Sequence, residues 1–356
     1  MHRFIFFTKT NWDETPRLRH QLASLLKDYG HEIIFFQKPN FFWQKPSKNK
    51  FKNHNLEKTT QLIHHQFRFF ESLSKFNAIT ESFSISRALE KYSVTPNDIV
   101  LNFNYDYYFL RDLFPKNQIF TIINDDFVAQ SKFFNGRHVK RHLSRVCSIS
   151  NAVLTVSEPL KKQLSEWSIP ILFLPWSETD YTAPIVKEKN SLLIWASINK
   201  IIDCNLLDRL AKKFKLVNFS LIGPTSADFK KEIDILISNN NNITLSPPQS
   251  LNEINFNHYF ASILPYKRGN PSTEAVTLAN KSLRLMSKGL PLIVHGMPHF
   301  LEHKAIFKCS NFEDVCHAIE NTLANFWGLQ GDIKNLVDQN CSEQRYQQLM
   351  TIVNRD

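Results

Sequence analysis

Residues 3–36 read RFIFFTKTNWDETPRLRHQLASLLKDYGHEIIFF, and the pattern of this stretch decides the fold class. Two short apolar runs, Arg3–Phe7 and Glu32–Phe36, are typical of buried β-strands. Between them, four leucines recur at helical spacing, and Gly30 then marks the end of the helix. A strand, a helix and a second strand in this order form a βαβ unit, so the sequence predicts a parallel sheet.

Strands and helices continue to alternate along the rest of the chain. Residues 38–58 mix lysines with aromatic side chains without periodicity, so we expect a long excursion from the sheet there. The polar, proline-containing segment 175–190 is interpreted as a linker, after which the alternation restarts. Further strands are predicted at residues 99–101, 119–123, 152–156, 171–174, 192–196, 217–222, 243–245, 261–265 and 291–294.

The ends of several helices are also marked in the sequence. Ser157 and Asn311 each precede a stretch of helical periodicity, and both residue types are good N-caps. A further helix is predicted over residues 273–289, and a terminal helix from Ser342.

Together these patterns predict an α/β protein with two Rossmann-like domains, whose parallel sheets face a central cleft. Residues 1–185 would form the N-terminal domain, and residues 186–335 the C-terminal domain. Residues 336–356 would form a C-terminal helix that packs back on the first domain.

The composition is that of a globular protein with a basic surface. The 356 residues include 43 Lys+Arg and 33 Asp+Glu, a formal charge of +10, and 42% are hydrophobic. These values exclude a collagen-like, disordered or disulfide-scaffold chain. The positive excess lies mostly in the first half, where it could face a membrane surface, nucleic acid or phosphorylated substrates. Glycine occurs only 8 times, so a phosphate site must also use side chains.

Cysteine usage and hydropathy predict the compartment. The five cysteines are scattered without a paired spacing, which favours reduced thiols in the cytosol. We see no signal-peptide pattern, and no apolar run approaches the ~18 residues that span a bilayer. We therefore expect a cytoplasmic protein, peripheral at the inner face of the cell membrane.

Several enzyme signatures are absent from the sequence. It contains no GxGxxG after the first strand, no P-loop, no GxSxG elbow and no HExxH. It also lacks Asp-Xaa-Asp, the usual carrier of a carboxylate clamp for Mg²⁺ on a diphosphate, and its histidines lack convincing metal spacing. We expect neither a cofactor nor a metal.

The most informative stretch for function is residues 263–298, ILPYKRGNPSTEAVTLANKSLRLMSKGLPLIVHGMP. A strand ends at Pro265, a basic loop follows, and a capped helix comes next. Cations beside a helix N-terminus attract anions, because unpaired backbone N–H groups and the helix dipole both favour negative charge. In a doubly wound sheet, a nucleotide diphosphate binds at this end of the strands.

This stretch resembles the donor-binding segment of GT-B glycosyltransferases, particularly the family-4-like (group 1) enzymes. Their segment contains N-K-x-x-E-[YF]-[ML]-[AS]-x-G-x-P, and residues 280–293 here read NKSLRLMSKGLPLI. The opening strand, residues 153–157 and residues 220–224 fit the same pattern. The resemblance implies the GT-B fold and a nucleotide-sugar donor as substrate.

We therefore predict a set of donor-binding residues: Asn280, Lys281, Arg268, Lys200, Ser197, Gly223, Glu274 and Arg284. Of these, Lys281, Arg268 and Lys200 would neutralise the diphosphate leaving group. As an alternative, Lys281 and Arg284 would form a solvated helix face.

One position departs from the family pattern. The Glu that holds the nucleotide ribose in the family is Arg284 here, and Arg cannot accept a hydrogen bond from a ribose hydroxyl. Ribose recognition must then change or come from Glu274. Alternatively, Arg284 contacts a phosphate or a carboxylate of the donor, which suits its fork geometry.

In the first domain, polar residues follow two predicted strands. Asp125 and Asp126 come directly after the apolar run 119–123, and Asp13 lies in the loop after the first strand. We predict these three carboxylates as catalytic residues that contact the acceptor hydroxyl. The alternative for Asp125 and Asp126 is that they cap the next helix.

Two basic segments, residues 38–58 and 127–157, could meet an anionic membrane surface. Each cation near such a surface contributes about 1 kcal/mol, and inserted aromatic side chains would add to this. The alternative is a segment packed on its own domain. We recognise no nucleic-acid-binding module, so no nucleic acid partner is expected.

The leading hypothesis is a glycosyltransferase that moves a sugar from a nucleotide-sugar donor to a lipid-linked saccharide acceptor in cell-surface polysaccharide synthesis. The resemblance also implies retention of configuration without a metal. One alternative is a nucleotide-sugar epimerase of the same fold. The other is a non-catalytic protein that binds saccharides or nucleotides, which Arg284 in place of Glu would explain.

Overall fold

The computed structural model describes residues 1–12, 17–41, 60–66, 74–131, 136–185 and 190–355. The chain divides into two compact units. Unit 1 consists of Met1–Leu174 and Arg345–Asp356, and unit 2 consists of Pro175–Gln344. The unit boundary thus lies at residues 174 and 175, whereas the sequence predicts a domain boundary at residues 185 and 186.

Unit 1 is built on a seven-stranded sheet with the order β4-β2-β1-β6-β7-β8-β9, in which all neighbouring strands are parallel. A separate pair of strands, β3 and β5, is also parallel. The elements of unit 1 are β1 (Arg3–Phe7), α1 (Leu18–Asp28), β2 (Glu32–Phe36), β3 (Asn40–Phe41), β4 (Thr60–Leu62), β5 (His65–Gln66), α2 (Ser74–Leu89), β6 (Ile99–Asn102), α3 (Leu110–Leu113), β7 (Gln118–Ile123), α4 (Gly136–Ile149), β8 (Ala152–Thr155), α5 (Glu158–Leu164) and β9 (Ile171–Leu172).

Unit 2 contains a six-stranded parallel sheet with the order β12-β11-β10-β13-β14-β15. Its elements are β10 (Ser191–Trp195), α6 (Cys204–Lys213), β11 (Asn218–Ile222), α7 (Lys230–Ser238), β12 (Ile243–Ser246), β13 (Tyr259–Pro265), α8 (Pro271–Glu274), α9 (Asn280–Met286), β14 (Leu292–His295), β15 (Ile306–Cys309), α10 (Phe312–Asn325) and α11 (Gln330–Gln339). The last helix, α12 (Ser342–Val353), begins in unit 2 and continues into unit 1.

The core of unit 1 explains why its central strands are continuously apolar. Phe4, Ile5, Phe6 and Phe7 of β1 are all fully buried, although successive side chains of a strand point to opposite faces. A parallel sheet is covered on both faces, so both sets of side chains enter a core. The ring of Phe7 stacks on Phe36 of β2 with centroids 4.7 Å apart.

The predicted fold class is confirmed, since both units are parallel α/β sheets with helices. Each predicted strand corresponds to a strand of the structure. The predicted caps are also present: the side chain of Ser157 accepts from the N–H of Leu160, and that of Asn311 from the N–H of Asp314.

The helix predicted over residues 273–289 is wrong as one element. It is divided into α8 and α9, with Ala279 in an extended conformation between them. The carbonyl of Thr277 accepts a hydrogen bond from the N–H of Leu301, a distant residue, at 2.7 Å. Both Thr277 and Leu278 are buried there. Tertiary packing therefore overrides the local helical pattern.

The second part of the C-terminal helix α12 packs against other elements of unit 1. The ring of Tyr346 stacks on Tyr29 with centroids 3.6 Å apart, and its hydroxyl lies 2.9 Å from Nε2 of His31. The amide of Gln348 donates to the carbonyl of Leu172 at 2.8 Å. In the described ranges, no helix has both the length and the apolar character needed to cross a membrane.

Candidate functional site

The carboxyl ends of β10 and β11 approach each other closely in unit 2. Gly223 follows β11 with φ +154°, and a Cβ built on it would lie 1.8 Å from the carbonyl oxygen of Ala196. A side chain cannot fit there, so the position requires glycine. Gly223, a predicted donor-binding residue, therefore lets the loops after both strands lie side by side at this edge of the sheet.

The carboxyl end of β13 is held by a second close approach. Tyr266 and His295 exchange two contacts: the Tyr266 N–H donates to the His295 carbonyl at 3.2 Å, and His295 Nδ1 lies 3.0 Å from the Tyr266 carbonyl oxygen. Gly296 has φ +75°, and a Cβ there would lie 2.0 Å from the same oxygen. This pairing holds the backbone of Tyr266, the residue directly after β13.

Lys281 lies on α9 and points towards the phenol of Tyr266. Its ammonium donates to the hydroxyl of Tyr266 and lies 5.1 Å from the centroid of the ring. Among the described residues, no carboxylate oxygen lies within 4.0 Å of this ammonium. Lys281 thus carries a half-buried positive charge that no carboxylate of the described residues neutralises.

Arg284 lies three residues further along α9 and does meet a carboxylate. Its Nε is 3.0 Å from Oε2 of Glu178, and both side chains are about one third exposed or less (27% and 34%). Its guanidinium carbon is 5.5 Å from the ring centroid of Trp195, the last residue of β10. The sequence analysis missed both Glu178 and Trp195 as members of this site.

Glu178 is positioned by a segment that packs along unit 2. The hydroxyl of Thr179 lies 2.9 Å from that of Ser287, and the N–H of Thr182 donates to the Ser287 carbonyl at 2.7 Å. The hydroxyl of Tyr181 donates to the side chain of Gln330 at 2.8 Å. Residues 175–185, the first part of the predicted linker, are therefore attached to the helices of unit 2 at the position of Glu178.

Among the described residues, the other predicted donor-binding side chains form no hydrogen bond or ion pair with Lys281 or Tyr266. Ser197 and Lys200 are exposed in the loop after β10. Arg268 is exposed and donates to the carbonyl of Ser310 at 3.0 Å. Asn280 and Glu274 are half-buried, and Glu274 has no side-chain hydrogen bond or ion pair within the described part of the chain.

In unit 1, the predicted catalytic pair directly follows β7. Asp125 accepts a hydrogen bond from the amide of Asn124 at 2.9 Å. Burial raises the pKa of the Asp125 carboxyl, and the charges of Arg19 and Arg17 and the hydrogen bonds of Gln130 and Asn124 only partly oppose this. A carboxyl with a raised pKa at the end of a strand is suited to contact a hydroxyl group of a substrate.

Asp126 has a different environment. Its Oδ1 accepts from the backbone N–H of Ala129 at 2.9 Å, which is the contact of a turn-capping carboxylate. The alternative given for this residue was a cap of the next helix, but this hydrogen bond lies in a turn over residues 127–130, and α4 begins at Gly136. The third predicted catalytic residue, Asp13, lies outside the described residues.

The sequence analysis missed a buried network at the same edge of unit 1. Lys9, just after β1, lies 2.5 Å from each carboxylate oxygen of Asp106. Nearby, the buried carboxylate of Glu81 lies 2.9 Å from Nε2 of His64 and accepts from the hydroxyl of Tyr107. These residues come from distant parts of the sequence, and no motif or spacing links them.

Burial alone would raise the pKa of the Glu81 carboxyl. The hydrogen bond and charge of His64, the charge of Lys9 and the hydrogen bond from Tyr107 outweigh burial and hold this pKa below its ordinary value. Glu81 is therefore an ionised, fully buried group. Within the described ranges, no group of three His, Cys, Asp or Glu residues could hold a metal ion.

Comparisons with known proteins give a result at the level of the fold. No protein-family model matches the sequence, and no curated protein matches it. Among solved structures, HepE from Anabaena in complex with UDP has a TM-score of 0.72 at 11% identity, and the match covers 99% of each chain.

Two further solved structures are similar along their whole length. A sucrose-phosphate synthase from Thermosynechococcus elongatus has a TM-score of 0.71 at 11% identity, covering 99% of this chain and 98% of that chain. A glycosyltransferase from Rickettsia africae also has a TM-score of 0.71, at 12% identity, covering 100% and 99%. A likeness at this level of identity shows the fold, and the chain has the GT-B fold of these glycosyltransferases.

Proposed function

We propose that the chain is a glycosyltransferase that uses a nucleotide-sugar donor. The observation that carries the proposal is the ammonium of Lys281, held by the neutral phenol of Tyr266 at the carboxyl edge of a parallel sheet. A positive charge that has no carboxylate partner within the described ranges suits, at this edge, the diphosphate of a nucleotide sugar. The full-length likeness to HepE, which has been solved with UDP and with UDP-glucose, supports this choice of ligand.

In the proposed reaction, the bond between the anomeric carbon and the diphosphate oxygen breaks, and the oxygen of an acceptor hydroxyl forms the new bond to that carbon. Lys281, with Arg268 and Lys200 as further cations, stabilises the negative charge that develops on the leaving diphosphate. The hydroxyl proton passes to an oxygen of this diphosphate. Asp125 orients the acceptor hydroxyl, the reaction retains configuration, and it requires no metal.

The acceptor in this proposal is a lipid-linked saccharide of cell-surface polysaccharide synthesis. The support for a membrane location is the exposed face of α4, which carries four cations: Arg137, Lys140, Arg141 and Arg145. The opposite face of the helix is buried through Val139, Leu143 and Val146. The basic segment 38–58, which the sequence analysis also predicted to meet lipid, lies mostly outside the described residues.

The test is thermal stability in the presence of UDP, GDP, ADP and CMP, each with and without Mg²⁺, for the unmodified protein and Lys281→Ala. A ligand at 100 times its dissociation constant adds about 2.7 kcal/mol to the free energy of unfolding. We expect one diphosphate to stabilise the unmodified protein without metal and Lys281→Ala to lose this effect. No stabilisation by any nucleotide would contradict the proposal.

Product analysis then separates the candidate reactions. The nucleotide that stabilises the protein is supplied as its nucleotide sugar, with and without lipid-linked saccharide acceptors. Sugar transfer that requires the acceptor supports a transferase, whereas a new nucleotide sugar formed from the donor alone supports an epimerase. Binding without turnover over a broad panel of acceptors supports a binding protein.

A further inference from the structure

We propose that Glu178 is the group of this chain that recognises the hydroxyls of the donor nucleotide, and that Arg284 holds it for this task. This inference rests on the proposed function, because it assumes a nucleotide donor in unit 2. It assigns a specificity-determining role to a residue in the segment between the two sheets, which no sequence motif marks.

A nucleotide presents two kinds of group to a binding site, phosphates and ribose hydroxyls. Phosphates need donors and positive charge, whereas the ribose hydroxyls also need an acceptor for their protons. Lys281 and Arg284 on α9 offer donors only. The carboxylate of Glu178, paired with Arg284, adds the acceptor that these two side chains lack.

The Glu178 carboxylate lies beside Arg284, on the helix that also carries Lys281. Lys281 and Arg284 are three residues apart, so they lie on one face of α9, about one turn from each other. Trp195, beside Arg284, is the last residue of β10 and places the ion pair at the carboxyl end of the sheet. A diphosphate at Lys281 would place the adjoining sugar of the same ligand within reach of Glu178.

One oxygen of the Glu178 carboxylate is engaged by Arg284, and the side chain is partly exposed. Arg284 contacts Glu178 through Nε and Oε2, and Oε1 accepts no hydrogen bond from the described part of the chain. The side chain is 34% exposed, so a ligand can approach it. The contact of Arg284 with Oε2 therefore orients the Glu178 carboxylate, and Oε1 can accept a hydrogen bond from a ligand.

The backbone around Glu178 makes the arrangement rigid. Thr179 and Thr182 are both bonded to Ser287, the C-cap of α9, and Pro184 lies against Gly289, where a Cβ would be 2.8 Å from the proline ring. The carboxylate is thus fixed relative to α9, the helix that carries Lys281. A pre-positioned acceptor loses less entropy on binding than a mobile one.

The experiment compares ribonucleotides with deoxyribonucleotides. Dissociation constants are measured by calorimetry for UDP, GDP and ADP and for their 2′-deoxy forms, with the unmodified protein, Glu178→Gln and Glu178→Ala. Glu302→Gln is the matched control, because Glu302 also forms an ion pair in unit 2, with Lys308, but is 79% exposed.

We expect the unmodified protein to bind the preferred ribonucleotide roughly 10-fold more tightly than its 2′-deoxy form. Glu178→Ala lowers the affinity for the ribonucleotide by about 10-fold, Glu178→Gln, which keeps a neutral acceptor, lowers it less, and both leave the affinity for the deoxy form nearly unchanged. The ratio of the two affinities then approaches one. Glu302→Gln leaves this ratio as it is in the unmodified protein.

Two outcomes would overturn the inference while leaving the proposed function intact. One is binding of ribo- and deoxyribonucleotides with equal affinity by the unmodified protein. The other is a drop in both affinities by the same factor in the Glu178 variants, which is what a purely structural role predicts. Absence of any nucleotide binding to the unmodified protein would overturn the inference and the proposed function together.

Discussion

The carboxyl edges of the two parallel sheets hold their positive charges in opposite ways. In unit 1, the ammonium of Lys9 lies between the two carboxylate oxygens of Asp106, at 2.5 Å from each. In unit 2, the ammonium of Lys281 meets the neutral phenol of Tyr266 and has no carboxylate partner among the described residues. The same residue type at the same edge is therefore neutralised in one unit and left charged in the other.

The buried carboxylate of unit 1 strengthens this contrast. Glu81 is 3% exposed and is matched by His64, Tyr107 and the nearby charge of Lys9. A buried network of this kind must be complete, because removal of one member leaves the others desolvated. The charges of this network thus serve folding, whereas the charge of Lys281 is suited to an anion, since no described carboxylate is paired with it.

Glu81→Ala should have the largest effect, a loss in the free energy of unfolding. We expect the free energy of unfolding to fall by about 3–5 kcal/mol, because the buried side chains of His64 and Tyr107 lose the carboxylate that they contact. Denaturant unfolding measures this loss, and Glu90→Ala, at an exposed position of the same unit, is the control. A change below about 1 kcal/mol would mean that the network does not stabilise unit 1.

The same variant also tests the lowered pKa of Glu81. A carboxyl with a folded-state pKa below its ordinary value of about 4.3 contributes stability above that pH. This contribution is lost as the pH falls through the folded-state pKa. The difference in stability between the unmodified protein and Glu81→Ala should therefore narrow below about pH 4 and stay constant at neutral pH.

Lys281→Ala should show the reverse pattern, a large effect on activity with little effect on stability. Loss of one charge that stabilises a leaving group lowers turnover by about 100-fold. The melting temperature should hardly change, because no carboxylate of the described chain depends on this lysine. Lys304→Ala, at an 81% exposed position of unit 2, is the control for both measurements. Equal activities of the two variants would contradict the role of Lys281.

Asp125→Asn tests whether a carboxylate of unit 1 takes part in the reaction. We expect kcat/KM to fall by roughly 10-fold, because the acceptor hydroxyl loses a charged hydrogen-bond acceptor. Burial raises the pKa of Asp125. As the pH is lowered, activity of the unmodified protein should therefore begin to fall at a pH higher than about 3.9, the ordinary pKa of an Asp carboxyl. Asp125→Asn should lack this decline. An unchanged pH profile would show that Asp125 does not titrate in the reaction.

Tyr266→Phe should have the smallest effect on kcat/KM of these variants. It tests whether Lys281 acts without the hydroxyl that it contacts. The ammonium keeps its charge and its position near the ring, so kcat/KM should change by less than about 5-fold. Steady-state kinetics with the nucleotide sugar measure this. A loss as large as that of Lys281→Ala would transfer the leading role from the lysine to the phenol.

The local parts of the fold could be predicted because their signals are local. The strands β1 and β2 could be predicted from their short apolar runs. The end of α1 could be predicted from Gly30, because glycine readily adopts the positive φ, +82°, that the chain has there. The caps Ser157 and Asn311 follow from the hydrogen bonds that their side chains make within one helical turn.

The candidate site was predicted only in part. Lys281 and Arg284 lie on the same short helix, so a sequence motif contains both. Their partners, Tyr266 and Glu178, lie in other segments, and nothing in the spacing of the sequence connects Glu178 to α9. The ion pair between Arg284 and Glu178 supports our proposal that this arginine orients a carboxylate rather than binding a phosphate of the donor.

The sequence by itself determined the alternation of strands and helices, the parallel sheets and the edge at which the candidate site residues of unit 2 lie. Apolar periodicity and caps act over a few residues, so they are readable along the chain. Only the tertiary structure decided which charges are matched: Lys9 by Asp106, Arg284 by Glu178, and Lys281 by no carboxylate of the described chain. Whether two charges pair depends on their distance in space, because the Coulomb energy falls as that distance grows and rises when the charges are buried. The number of residues between them in the sequence does not enter.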